Sequence, residues 1–429
     1  MVALPFLVMV IALALGIPIA FCLGVAGALG ILLTTGWNWS TLFGILSMAP
    51  FSSVADFSFT TIPMFVLMAY FSAASGLARD LFKATASWLS HLRGGIGIAT
   101  VFSCGMFGAM CGSSVAAASV FSETALPEMR RRGYSEELVS GTVGVGATLD
   151  ILMPLSIPMV IYGIVTQNSI GKLLMAGIVP GIIVGIFLAA IVYVWAAIRP
   201  KDAPRTPPVP WAQRWLSLRP VWASLLLIAI VMTFLYGGFC TPSEIAALGA
   251  LAAGSIGVFS GRLKRAGIWE ALKTTVRTAA MIFMILIGAN IFGYYMALSR
   301  IPQHVVETVT IMHLSRLMVI IGIAVVYFVI SMFMDEIPLM LLILQLTYPL
   351  VISMGFDPIW YGVFMVMLIC MGLVFPPVAV VAIVVSATAK INILKVYTGC
   401  CIMVIAIIMG TIILIIFPET ATWLPSTMR

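Results

Sequence analysis

Two short polar tips interrupt sequence otherwise suited to hydrocarbon: residues 111–115 (CGSSV) and 334–338 (MDEIP). Each is followed, in the next apolar run, by a proline break, at 153–158 (MPLSIP) and 375–380 (FPPVAV). Glycine and proline end helices, and inside a membrane such breaks free carbonyl oxygens and hydroxyls to meet an ion or a solute. Oxygens of this kind form a site for a hard cation. Gly112, Ser113 and Ser114 are therefore expected to meet the first break near mid-membrane. Packing of the two serines against a neighbouring helix is the competing explanation, and the pairing of tip with break favours the ion. In the second copy Asp335 is the preferred ligand over Glu336, facing the carbonyls freed by proline at 375–380.

Buried acids are the other source of chemistry. Asp150 stands one turn before the first break in an apolar run, where an acid is costly unless it is paired, solvated or protonated, so a functional role is expected. Glu123 lies nearer a hairpin mouth. Glu244 follows Thr241-Pro242-Ser243 and is expected to complement the start of a helix. The three histidines, His91, His304 and His313, are spaced too widely for a metal face and are expected in solvent. No HExxH, GxSxG or Walker A pattern occurs, so an enzyme or an ATP-driven pump has little support. Seven cysteines without CxxC spacing are expected to be packing residues.

The elements that hold these residues repeat. Pro127, Gly133, Tyr134 and Pro154 stand 222 positions before Pro349, Gly355, Phe356 and Pro376. Two altered copies of one apolar unit, each with an interrupted segment, point to a transporter with its site between the halves. Composition agrees: 62% of residues are hydrophobic and 9% charged, with mean hydropathy +1.17, so lipid is the solvent. The net charge of +7 comes from short clusters between apolar spans, which argues for membrane orientation and against nucleic acid.

The expected fold is an all-α polytopic membrane protein of two inverted repeats, each with five crossings and one re-entrant hairpin. Crossings are expected at 3–16, 18–33, 60–77, 135–166 and 169–198, then at 220–237, 243–260, 274–298, 359–387 and 393–417. The first repeat is 1–198, with its hairpin at 94–130 and broken helix at 135–166. The second is 220–429, with its hairpin at 315–354 and broken helix at 359–387. Residues 199–219, rich in Pro and Arg, form a cytoplasmic linker. Segments 79–92 and 301–314 are expected as interfacial arm helices. The first span, lacking a charged leader, is expected to be retained, not removed as a signal peptide.

Threaded this way, Arg79, Lys83, Arg93, Arg130, Arg131, Arg132, the linker, 262–277, Lys390 and Lys395 share one side. That side holds all Lys and Arg except Lys172, Arg300, Arg316 and Arg429. The positive-inside rule makes it cytoplasmic and puts both termini outside. No Lys or Arg falls in the tips or breaks, so a small organic anion is expected to be held by helix ends and bound cations.

The run from Leu92 to Ser135 (LRGGIGIATVFSCGMFGAMCGSSVAAASVFSETALPEMRRRGYS) resembles the first hairpin of the large membrane (M, DctM-like) subunit of tripartite ATP-independent periplasmic (TRAP) transporters. IPMF at 62–65, SIPMVIYG at 156–163, YGGFCTPSE at 236–244, GFDPIWYGV at 355–363 and FPPV at 375–378 follow in order. The resemblance implies an elevator-type, sodium-coupled importer in the bacterial inner membrane, with both termini periplasmic. It takes an organic acid from a periplasmic solute-binding protein (P) and works with a small four-helix membrane subunit (Q). Carried over by position, one sodium site falls on Gly112, Ser113, Ser114, Pro154 and Ser156, the other on Asp335, Pro376 and Pro377. The solute is expected at Ser113, Asp150, Ser156 and Val378, with sodium as the coupling ion and no cofactor. The family usually has glycine where this chain has Asp150, a proline pair where it has Pro154-Leu155, and Gly and Asn where it has Ala379 and Val381. Rival readings are a stand-alone carrier without a binding protein and an intramembrane enzyme using Asp150 and Asp335.

Overall fold

A computed structural model describes residues 3–428, so Arg429 and the two ends of the chain lie outside the described residues. The described chain is built of helices. The first half runs α1 (Ala3–Ala14), α2 (Ile19–Thr34), α3 (Trp39–Ser52), α4 (Thr61–Ala74), α5 (Leu77–Leu89), α6 (Gly95–Cys111) and α7 (Ser114–Arg131). It continues with α8 (Glu136–Thr148), α9 (Ile157–Val165), α10 (Ile170–Ala176) and α11 (Ile178–Ile198). After α12 (Trp211–Leu218) come α13 (Trp222–Tyr236), α14 (Pro242–Phe259), α15 (Arg265–Ser299), α16 (Ile301–Ile311) and α17 (Arg316–Ser331). The chain ends with α18 (Glu336–Ser353), α19 (Pro358–Gly372), α20 (Val380–Ala389), α21 (Ile393–Met403), α22 (Ile405–Ile416) and α23 (Glu419–Ser426).

Helix bounds recur at the offset seen in the sequence. Helix α7 and helix α18 start and stop 222 residues apart, and α8 and α19 start 222 apart. The copies are not identical. Where α15 runs unbroken for 35 residues, the first half has α3, a chain turn at Ser53–Asp56 and α4. Helix α3 was not foreseen, because Pro50 and flanking polar residues hide its periodicity.

Among the described residues, seven helices, counting helical runs joined end to end, are long and apolar enough to cross a membrane, or eight if α12 and α13, bent by 51°, count as one span. Ten crossings were expected. The shortfall comes from α1 and α2, which are short, from α13, and from the span 359–387, which divides into α19 and α20. Conversely α18, an arm of the second hairpin, is itself 18 residues long and passes the same test. Residues 199–219 do more than tether: α12 stacks Trp211 and Trp215 edge-on against Trp88 of α5.

Two close helix pairs form a frame. Helix α2 crosses α15 with Gly27 against the backbone at Phe292, and Gly288 against the Ala20 carbonyl. Helix α14 lies on α4, where Thr61 Oγ1 and Ser243 Oγ are 2.7 Å apart. Gly27 and Gly249, at these two crossings, are again 222 apart. Small residues at such crossings let backbones approach closely, the main source of helix association in lipid. A second body gathers α6 to α9 and α17 to α22. There Arg130 donates to Glu136 (2.8 Å) and to the Ala389 carbonyl (3.0 Å), and Lys395 reaches the same glutamate at 3.1 Å. The arm α5 is tied to the frame by Asp80, which pairs with Arg262.

A Cβ at Gly288 would stand 2.2 Å from the Ala20 carbonyl oxygen. Gly288→Leu is expected to cost about 1–3 kcal/mol by overpacking and to lower the unfolding temperature in detergent. Gly322→Leu, where a Cβ meets nothing within 4 Å, is the control expected to leave it unchanged.

Candidate functional site

The first tip is set by one residue that has no side chain. Helix α6 ends at Cys111 and Gly112 turns left-handed, with φ +68°. A Cβ there would lie 2.0 Å from the Leu155 carbonyl oxygen, so only glycine lets the tip sit on the break. The Gly112 N–H then forks to Gly108 O at 3.3 Å and Asp150 Oδ1 at 2.9 Å, while its carbonyl accepts from Ile157 N at 3.4 Å. Ser156 caps α9, its Oγ accepting from Met159 N at 3.4 Å. Tip and break are thus locked together, and Asp150 is the lock. Its side chain is fully buried, and Oδ2 has no hydrogen-bond partner among the described residues.

The second tip, Met332 to Asp335, holds its acids differently. Asp335 is half-buried and caps its own helix, Oδ1 accepting from Glu336 N at 2.9 Å. Glu336 is buried, and its Oε2 accepts from Ser114 Oγ at 2.9 Å. The residue that reaches the other tip is therefore Glu336, passed over in the sequence in favour of Asp335. The signal was available: Ser114 and Glu336 are 222 apart, equivalent positions that touch. Thr148 and Cys370, also 222 apart, do the same, the Cys370 thiol lying 3.4 Å from the Thr148 carbonyl.

The second break is fastened by Ala379 N, which donates to Met332 O at 3.3 Å. The Pro376–Pro377 peptide is cis. The carbonyls of Pro377 and Val378 both accept from Tyr397 OH, at 2.8 and 3.2 Å, and Pro377 is exposed. Pro154 lines a separate apolar cavity of about 320 Å³ with Leu149, Met153 and Ile182. So the structure joins Gly112, Ser113, Ser114, Asp150, Ser156 and Glu336. Pro154 faces the apolar cavity, and Pro377 and Val378 face Tyr397.

Charge is one-sided at this junction. The ionisable groups acting on Asp150 and Glu336 are each other, Asp335 and the thiols of Cys104, Cys111 and Cys370, none of them basic. Such a cluster can hold a cation or a proton, and it has no base with which to pair a solute carboxylate. The other acids stand elsewhere. Glu244 and Thr241 form a reciprocal cap, with Thr241 N donating to Glu244 at 2.7 Å. Glu123 lines a surface cleft of about 670 Å³ with Arg79, Lys83, Glu128 and Arg132. His304 is exposed beside Glu307.

Residues 6–420 match the profile of the family described as the tripartite ATP-independent periplasmic transporter, DctM component. The C4-dicarboxylate TRAP transporter large permease protein DctM of Vibrio cholerae is 29% identical, over 100% of this chain and 98% of that protein. The ectoine/5-hydroxyectoine TRAP transporter large permease protein UehC of Ruegeria pomeroyi is 28% identical, over 99% and 98%. In fold the chain is similar to the crystal structure of the Alcanivorax borkumensis YdaH transporter, at TM-score 0.62 and 12% identity over 90% of each chain.

Ser114→Ala removes the donor to a buried carboxyl oxygen, which should cost about 1–3 kcal/mol and lower the unfolding temperature. Glu336→Gln keeps an acceptor for Ser114 and is expected to cost less. Equal stability of Ser114→Ala and the parent protein would show that the bond between the tips does not hold the two hairpins together.

Proposed function

Because this chain belongs to the DctM-component family of TRAP transporters, and so is a large permease subunit and not an enzyme, we propose that it imports a small organic acid by sodium coupling and elevator motion. The observation that carries the reading is the Ser114–Glu336 bond, which joins the tips of two hairpins at equivalent positions. Residues 222 apart can touch only near the axis that relates the copies. With the recurring helix bounds, this supports two inverted repeats, 1–198 and 220–429, around a shared central site. Charge placement supports a cytoplasmic linker and periplasmic termini in a bacterial inner membrane.

The coupling ions bind among the oxygens of the tips and breaks. Two buried acids and a half-buried third favour cations there, and sodium fits an oxygen-only set. The first site is built from Ser113, Ser114 and Ser156 with the backbone of Gly112. The second uses Asp335 and Glu336, with the carbonyl of Pro376. Relatives named for C4-dicarboxylates and for ectoine support a small organic solute of this kind. A solute-binding protein and a small membrane subunit complete the transporter. The hairpins and broken helices then move as one block against α2, α4, α14 and α15.

In proteoliposomes holding this chain and its small subunit, uptake is expected to need both the binding protein and a sodium gradient. Ser113→Ala should raise the sodium concentration for half-maximal uptake about tenfold, roughly the loss of one ligand. Undiminished uptake in sodium-free buffer would sink the sodium assignment, and full uptake without the binding protein would favour the stand-alone carrier. For the motion, cysteines on α15 and α18 are expected to cross-link in two mutually exclusive sets, each stopping uptake. A single set under all ion and solute conditions would exclude an elevator.

A further inference from the structure

We propose that Asp150 fills the anion-binding end of the first hairpin with the protein's own carboxylate, so that the solute site rejects dicarboxylates and admits solutes carrying a single carboxylate, zwitterions included. The inference rests on the reading of the hairpin tips as the ion and solute site.

The first observation is what Asp150 touches. Its Oδ1 takes the Gly112 N–H at 2.9 Å, and the Ser113 N–H and Cys111 thiol stand beside it. Cys111 and Gly112 close α6, and Ser113 opens α7, a helix of 18 residues whose first turn points N–H groups and the positive end of its dipole into the tip. That is the local chemistry an external carboxylate would seek. Here it is met from within.

The second observation is that the carboxyl group is only half used. Oδ2 is fully buried and has no partner, so Asp150 is poorly explained as a structural acid satisfied on all sides. The third comes from the other copy. The equivalent position, 222 residues on, is Gly372, where the side chain of Ser331 takes up the space. The architecture therefore tolerates the absence of an acid at this point, and Asp150 adds something the fold does not demand.

Its neighbours sharpen the discrimination. Among the described residues, the ionisable groups facing Asp150 are acids and thiols: Glu336 on α18, Cys104 and Cys111 on α6, and Cys370 on α19. Asp335 stands next to Glu336. Coupling ions neutralise some of this charge. A second solute carboxylate, with the tip amides already occupied, would find neither a donor nor a counter-charge.

The test uses the full chain purified with its small subunit, followed by thermal unfolding. Sodium chloride against choline chloride reads the ion site, and it should stabilise the parent protein. With sodium present, millimolar succinate is expected to leave the parent unchanged and to raise the unfolding temperature of Asp150→Gly by about 3 °C. Asp150→Ser keeps an oxygen for the Gly112 N–H and should respond to succinate in the same way, which guards against misfolding of the glycine variant. Stabilisation of the parent by succinate to the same degree overturns the proposal. So do variants that keep their sodium response and ignore succinate. Loss of the sodium response in the parent as well would strike first at the reading of the tips as an ion site.

Discussion

Hydrocarbon offers no hydrogen bonds, so each backbone group released where a helix breaks inside a membrane must find its partner within the protein. Two hairpin tips and two broken helices release such groups, and the structure closes each tip on the break of its own half. Gly112 bonds to Asp150 and Ile157, and Ala379 to Met332. The Tyr397 hydroxyl takes the carbonyls that the second proline pair sets free. The rest of the bundle is arranged so that these four irregular stretches can meet. Helices α8 and α19, almost wholly buried, bring the breaks to the depth of the tips.

The two halves solve this constraint with different chemistry. In the first, an acid on the broken helix reaches a glycine tip. In the second, a glycine on the broken helix receives a serine from the hairpin, and the acid moves to the tip itself. The exchange puts Asp150 and Glu336 on either side of Ser114's helix start, with no base between them. Such an arrangement is stable only with donors, protons or cations to answer the charge.

Two kinds of tie hold the surrounding helices. Within the gathered body, Arg130, Glu136 and Lys395 link the exit of the first hairpin to α20 and α21, from the opposite half of the chain. Between arm and frame, Asp80 pairs with Arg262, and Trp88 packs on α12. The frame itself rests on close approaches such as that of Gly288 to Ala20. Packing is tight within each body. The clefts, lined by Glu123 and Arg79 in one case and by Asn290 and Gln345 in the other, lie along its margins.

The sequence by itself determined the apolar helices, the repeat at 222 residues, the positions of tips and breaks, and the isolation of Asp150. All of these are properties of spacing and composition along the chain. It also pointed to Glu244 as a helix-start acid, since a cap is local. It did not reveal which face of a uniformly apolar helix turns inward, because amphipathic periodicity vanishes when lipid and core are equally apolar. So Asp335 was preferred to Glu336, Pro154 was turned toward the site instead of the apolar cavity, and Pro377 and Val378 were left free of Tyr397. Helix α3 and the packing of α12 escaped for a related reason, since Pro and polar residues mask short helices. Only the tertiary structure decided that Ser114 meets Glu336 and that Asp150 caps Gly112. Those contacts join residues 222 and 38 apart, and helix packing, not local sequence, sets their geometry.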